Sequence, residues 1–209
     1  MKKILVELQY LPPVSYYAKL LQYDEIVLEQ HENFVKSSYR NRCYILAANG
    51  KIRLSIPLTN GRDHKDLYTH VKTDNRQRWR AIHWQSILSA YKHAPFFEHY
   101  APYFEKYFYS AETDSLFQFN LKLFETTLRL LKAESKISFT ESYMHKANES
   151  FFDARNLFQP KKNIATNYEP YIQVFSDRHG FHADLSIIDL LFNLGTEAKS
   201  YLRKIPNHQ

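Results

Sequence analysis

Asn49-Gly50, set between two alternating apolar runs, constrains the fold of this chain more than any other pair of residues. Both central positions of a type I′ turn need positive φ, which Asn and Gly supply at low cost. Tyr39 to Ala48 and Lys51 to Leu58 therefore read as the two arms of a hairpin. A two-residue turn pairs Ala48 with Lys51, and hence Ala47 with Ile52, Ile45 with Leu54 and Cys43 with Ile56. Side chains alternate faces along a strand. That register puts Cys43, Ile45 and Ala47 on an apolar face and leaves Arg40, Arg42, Lys51 and Arg53 on a cationic one. Exposed strands carry Lys and Arg to block edge pairing; the same face is also suited to receive an anion.

Upstream, residues 3–8 form a short apolar run suited to a buried strand, and Pro12-Pro13 open a helical segment with Val14, Tyr17, Ala18 and Leu21 on one side. A second apolar run, Glu25 to Glu29, follows at once. Strand, helix, strand predicts a βαβ unit with parallel pairing and a right-handed crossover. The loop Gln9-Tyr10-Leu11-Pro12 then lies at the carboxyl end of the first strand, where open α/β sheets bind ligands. No glycine-rich phosphate loop follows it, so a dinucleotide site of the Rossmann type is not expected.

Thr59 to Arg78 is polar and reads as loop. From Arg78 to Tyr91, Ala81, Trp84, Ile87, Leu88 and Tyr91 make one apolar stripe, and His83 beside it has the position of a partly buried histidine. Pro95 and Pro102 predict that Phe96 to Phe108 breaks into short aromatic-rich helices. Residues 114–132 form the longest helix. Ile137, Phe139, Glu141 and Tyr143 alternate as a strand. Residues 144–170 lose all periodicity and predict a long polar loop, either a lid or a partner-binding segment. Tyr171 to Phe175 resembles a last short strand. Ser186 and Asp189 predict a capping box for a helix over Ile187 to Leu194, ended by Gly195. A final helical turn covers Glu197 to Leu202. The expected architecture is α/β: a mixed sheet with an N-terminal βαβ unit and a β-hairpin, packed by helices at 14–22, 78–92 and 114–132. It forms a single domain over 1–209, with a helical portion at about 78–132.

Composition limits the partners. With 44% hydrophobic and 16% aromatic residues the chain is no disordered polymer. A net charge of +6 suits an anionic partner, yet Lys and Arg are spread without a basic tail, so nucleic acid is not expected. No apolar run approaches the roughly 20 residues of a membrane-spanning helix. Glu7 and Gln9 interrupt what would be the apolar part of a signal sequence, and no small-residue cleavage site follows. A cytoplasmic protein is the expectation. One cysteine excludes an internal disulfide and a zinc–cysteine cluster.

Three constellations could carry chemistry. His31 and Cys43 suggest a Cys–His nucleophile, but the hairpin register buries the sulfur. His179, His182 and Asp184 have metal-like spacing, yet Gly180 interrupts them and no helix brings the rings together, so no metal is expected. Lys36, Arg40, Asn41, Arg42 and Arg53 are the most suggestive set, because guanidinium groups bind carboxylate or phosphate with two parallel hydrogen bonds. The candidate site joins Gln9, Tyr10, Asn33, Arg40 and Arg42 as substrate-binding residues with Lys36 and Asn41 as catalytic ones. Arg40 and Arg42 would hold the anion, and Lys36 would be a base if desolvation lowers its pKa. The ligand expected is a small anionic metabolite or an activated sugar. The residues imply no particular cofactor or oligomeric state.

Several of these stretches resemble the WbqC-like family of bacterial proteins. They are Gln9-Tyr10-Leu11-Pro12-Pro13 with Tyr16-Tyr17, Tyr39-Arg40-Asn41-Arg42-Cys43 with Pro57, Trp79, His83, Ala94-Pro95-Phe96-Phe97, and Leu185 to Asn193. The resemblance covers almost the whole chain. Where the commoner pattern has Gln-Pro-Tyr, this chain has Gln9-Tyr10-Leu11, and the segment around 132–150 is short, as in a compact branch from Bacteroidetes-type bacteria. The resemblance implies a place in loci for O-antigen and other surface glycans, and a transferase role on sugars or related metabolites. It carries over no catalytic residue. The expected function is an enzyme of cell-surface glycan or related metabolite biosynthesis that moves an acyl, aminoacyl or similar group on an anionic substrate. The alternative is a non-catalytic binding or scaffold protein using its aromatic-rich helices.

Overall fold

A computed structural model describes residues 1–59, 66–110, 113–147, 149–161 and 168–206. Parts of the expected loops, at 60–65, 148 and 162–167, lie outside these. The chain opens with β1 (Lys3–Glu7), α1 (Val14–Leu20) and β2 (Glu25–Glu29), then forms a hairpin from β3 (Arg42–Ala47) and β4 (Gly50–Ser55). Helices α2 (Trp79–Tyr91), α3 (Phe97–Tyr109) and α4 (Leu116–Leu130) follow. After them come β5 (Lys136–Phe139), β6 (Phe151–Asp153), α5 (Ser176–His179), α6 (Ile187–Leu194) and α7 (Ala198–Lys204).

The α/β architecture, with its βαβ unit and hairpin, is the one expected. Parallel and antiparallel pairing are divided between two sheets. One is four-stranded in the order β5-β2-β1-β6 and parallel throughout; the other is the hairpin alone. β1 and β2 contain the unbroken runs Ile4-Leu5-Val6 and Ile26-Val27-Leu28, buried on both faces as interior parallel strands must be. β6 was not anticipated. It is three residues long, lies in the stretch expected to be loop, and pairs with the start of β1, while Phe152 packs on Tyr23.

The hairpin forms with a different register. Ala47 pairs with Gly50, Ile45 with Ile52, Cys43 with Leu54 and Arg42 with Ser55. Neither Ala48 nor Asn49 takes positive φ; Gly50 takes it alone, at +101°. The turn is therefore of type I, followed by a glycine bulge, rather than type I′. Each partner moves by two residues, so side-chain parity is unchanged. Cys43 and Ile45 are fully buried, and Leu54 is 4% exposed.

Two helical expectations also change. Phe97–Tyr109 is one continuous helix with Pro102 inside it. Pro102 and Glu98 both lie on the exposed side, so the hydrogen bond that proline cannot donate is lost where water replaces it. Its other side buries Phe97, Tyr100, Ala101, Phe104 and Phe108. Tyr171 to Phe175 pairs with no strand and leads into α5.

Ser186 stands at the start of α6, but its hydroxyl donates to the Leu11 carbonyl at 2.9 Å, and no capping bond forms. Asp189 accepts instead from Tyr171 Oη at 2.6 Å and Gln173 Nε2 at 2.8 Å. Asp184, the last residue of the metal-like spacing, serves α1: it accepts from the Ser15 amide at 2.8 Å and the Ser15 hydroxyl at 3.0 Å. It does the work of a helix cap from a remote part of the chain. Among the described residues, no helix is long and apolar enough to cross a membrane.

Candidate functional site

Three strands of the parallel sheet end on a carboxylate: Glu7 on β1, Glu29 on β2 and Asp153 on β6. Glu7 and Glu29 are direct neighbours in register and both are fully buried. Like charges side by side in a dry interior repel, so each must find its own donors.

Glu7 finds them in the chain that crosses the end of β1. Gln9 Nε2 donates to Oε1 at 2.8 Å and also to the Phe158 carbonyl at 3.2 Å, while the Asn156 amide donates to Oε2 at 3.0 Å. Asn156 adopts φ +58°, which aims that amide inward. Burial pushes the Glu7 carboxyl above its usual range, against the pull of Arg40. Gln9 Oε1, fully enclosed, has no hydrogen-bond partner.

Glu29 turns the other way. It accepts from the His31 amide at 2.9 Å, Thr140 Oγ1 at 2.8 Å and Arg155 Nη1 at 3.2 Å. Arg155 also grips Asp153 through Nε at 3.0 Å and Nη2 at 2.7 Å. The second guanidinium, Arg40, is 1% exposed. Its Nε and Nη2 meet the two oxygens of Glu32 at 2.7 and 2.6 Å. Burial alone would lower Arg40; the Glu32 hydrogen bond and the charges of Glu7 and Glu32 raise it instead, so it keeps its proton. Asn120 Nδ2 holds the Arg40 carbonyl at 2.7 Å and Tyr68 Oη at 2.7 Å.

Of the residues proposed from sequence, Gln9 and Arg40 meet in this network, joined through Glu7, Glu32 and Asn156. Arg40 does not lie on the solvent face assigned to it. The strand begins only at Arg42, and Ser37, with φ +58°, bends the chain before it, so strand alternation does not extend to residue 40. Tyr10 diverges: its hydroxyl lies 2.9 Å from His83 Nδ1, beside Trp79. His83 is 4% exposed, and burial lowers it to about 4, opposed by a hydrogen bond to the Ser55 carbonyl. With that carbonyl taking the other ring N–H, Nδ1 accepts from Tyr10. Asn33 and Lys36 are exposed on the loop after β2. Asn41 Nδ2 donates to the Ile56 carbonyl at 2.9 Å, and Arg42 is half-buried at the start of β3.

Glu7, Glu29, Glu32, Arg155 and Asn156 were missed. The signal for the first two was an acid closing each apolar run, at the carboxyl end of a parallel strand.

Elsewhere, a groove of about 680 Å³ separates the hairpin from α2, lined by Ala47, Ile52, Arg78, Ala81, Ile82 and Gln85. His179 and His182 have ring centroids 6.5 Å apart, and His179 Nε2 lies 3.0 Å from the Ala48 carbonyl. Among the described residues, no three His, Cys, Asp or Glu side chains are placed to hold a metal ion. The aromatic rings of α3 mostly point into the core, leaving Tyr103 and Tyr109 at the surface.

Residues 9–159 match the sequence model of the WbqC-like protein family. The uncharacterised protein Rv1507c of Mycobacterium tuberculosis is 24% identical over an alignment of 232 residues, covering 97% of this chain and 98% of its own. No solved structure matches.

Proposed function

Because the chain belongs to the WbqC-like protein family, we propose that it is an enzyme of bacterial cell-surface glycan or related metabolite biosynthesis. It transfers an acyl or aminoacyl group to the amine or hydroxyl of a small anionic metabolite or activated sugar. The observation that carries this reading is the buried, raised carboxyl of Glu7 at the carboxyl end of β1, beside the unpartnered carbonyl oxygen of Gln9. Burial that raises a carboxyl makes its ionised form a stronger base than an exposed carboxylate, which suits taking up a proton and then returning it.

In the transfer, the acceptor's N–H or O–H loses its proton to Glu7 as it bonds to the acyl carbon. The bond from that carbon to the leaving group breaks, and Glu7 returns the proton to the leaving group. Gln9 Oε1 accepts a hydrogen bond from the acceptor. Arg40 is spent on Glu32, and its charge pulls against the rise that burial gives Glu7. Lys36 and Asn33, exposed on the adjoining loop, draw the anion in, and Asn41 and Arg42 complete the rim.

The test is native mass spectrometry of the purified chain with extraction of retained ligands, joined to metabolite comparison in a deletion strain. A small anionic compound carried by the wild type and lost in Glu7→Gln is the expected result. Absence of any retained compound, together with an unchanged metabolite profile on deletion, would refute the reading.

A further inference from the structure

Arg40, Arg80 and Arg155, all buried or half-buried, each meet protein oxygens: Glu32 for Arg40, the Tyr107 and Thr113 carbonyls for Arg80, Asp153 and Glu29 for Arg155. Arg42 is half-buried, and among the described residues its Nε meets none. It opens β3 directly across from Ser55, the last residue of β4, so the two side chains stand on the same face of the hairpin. Arg42 Nε and Ser55 Oγ are both shut off from water, and neither has a hydrogen-bond partner. On the next rung, Asn41 Oδ1 is in the same condition while its Nδ2 is engaged by Ile56.

A buried polar atom without a partner is destabilising, and two on one rung are a cost the fold bears without return unless something fills them. Arg42 Nε can only donate, and the serine hydroxyl can donate as well as accept, so one acceptor would satisfy both. The sequence from Asn33 to Thr59 contains no Asp or Glu to supply it. Arg53, on the same face and exposed, adds a second positive charge at the rim.

We propose that Arg42 and Ser55 form the subsite for a carboxylate of the substrate. The substrate class is a small carboxylate-bearing metabolite, such as an N-acyl amino acid or a hydroxy acid. The planar guanidinium pairs with one carboxylate through Nε and a terminal nitrogen, and the serine hydroxyl fixes its orientation. This assignment rests on the enzyme reading above and names the part of the substrate that the hairpin holds.

The probe is N-acetylglycine, titrated into the ¹⁵N-labelled full chain while the Arg42 Nε–H resonance is followed by NMR. A saturable shift is expected, weakened about tenfold in Ser55→Ala, abolished in Arg42→Gln, and little changed in Arg53→Gln. Thermal melts of each variant establish folding, and Arg42→Lys, which keeps the charge without the fork, should fail to bind as Arg42→Gln does. No saturable shift, a shift indifferent to Ser55→Ala, or equal binding of inorganic phosphate overturns the subsite. Retention of the natural metabolite by Arg42→Gln and Ser55→Ala, with its loss in Glu7→Gln, overturns the subsite while the enzyme reading stands. An Arg42-dependent shift in a chain whose deletion alters no metabolite does the reverse.

Discussion

The guanidinium of Arg40 meets both carboxylate oxygens of Glu32, through Nε at 2.7 Å and Nη2 at 2.6 Å, in a site from which water is excluded. Removing one partner strands a buried charge, which costs more than the pair itself is worth. Glu32→Gln should therefore destabilise the fold by about 3 kcal/mol. Glu32→Leu combined with Arg40→Met should cost less than the sum of the single changes. Urea unfolding of the wild type, Glu32→Gln, Glu32→Leu, Arg40→Met and the double variant measures both, and simple additivity would show that the two side chains are not coupled.

His83 makes stability depend on pH. Its folded value of about 4 lies below the ordinary 6.5, so the unfolded chain takes up a proton as pH falls through 6.5 while the fold refuses it. Stability from this group is fully present above 6.5 and falls toward pH 4, by on the order of 3 kcal/mol in all. The raised carboxyls of Glu7 and Asp189 act with the opposite sign, because there the fold takes up the proton first. Subtracting the unfolding free energies of His83→Gln from those of the wild type, across pH 4 to 7, isolates the histidine. A flat difference would mean that His83 titrates normally.

Two glycines with positive φ should respond differently to alanine. At Gly195, with φ +55°, an added Cβ would collide with the ring of Phe96, whose amide is anchored to the Phe192 carbonyl. At Gly50, with φ +101°, a Cβ meets nothing. Gly195→Ala should cost about 3 kcal/mol or more, from strain and overpacking together, and Gly50→Ala about 1 kcal/mol from strain alone. Thermal melts should rank them in that order.

Cys43 should behave as an inert core residue. Burial pushes its thiol far above the ordinary value, so a disulfide reagent should find no reactive thiol in the folded chain and one in denaturant. Prompt reaction under native conditions would place the sulfur at the surface.

The faces of the hairpin were legible in the sequence although its register was not. Gly50 took the positive φ that Asn49 was expected to share, and the partners slid by two residues, which preserves parity. Arg40 was misplaced because alternation was extended into a turn, where it has no meaning. α2 and α4 were readable from their stripes, since a side of a long helix reports its own burial. β6 was not: three residues carry no period, and their reason for pairing is β1, nearly 150 positions away. The acid network was hidden for the same cause. Glu7, Glu32, Arg40 and Asn156 approach one another only when the sheet is closed, and no local rule connects them.

β1 lies inside the sheet, yet its two neighbours come from opposite ends of the chain: β2 from residue 25 onward and β6 from residue 151 onward. On the ribosome the first βαβ unit is available early, while the other side of β1 keeps a bare row of amides and carbonyls until Phe151 has left the exit tunnel. Nascent chains of intermediate length are thus the ones that offer a ready template to other strands, and it is at that stage of synthesis that chaperone capture would guard this protein against misassembly.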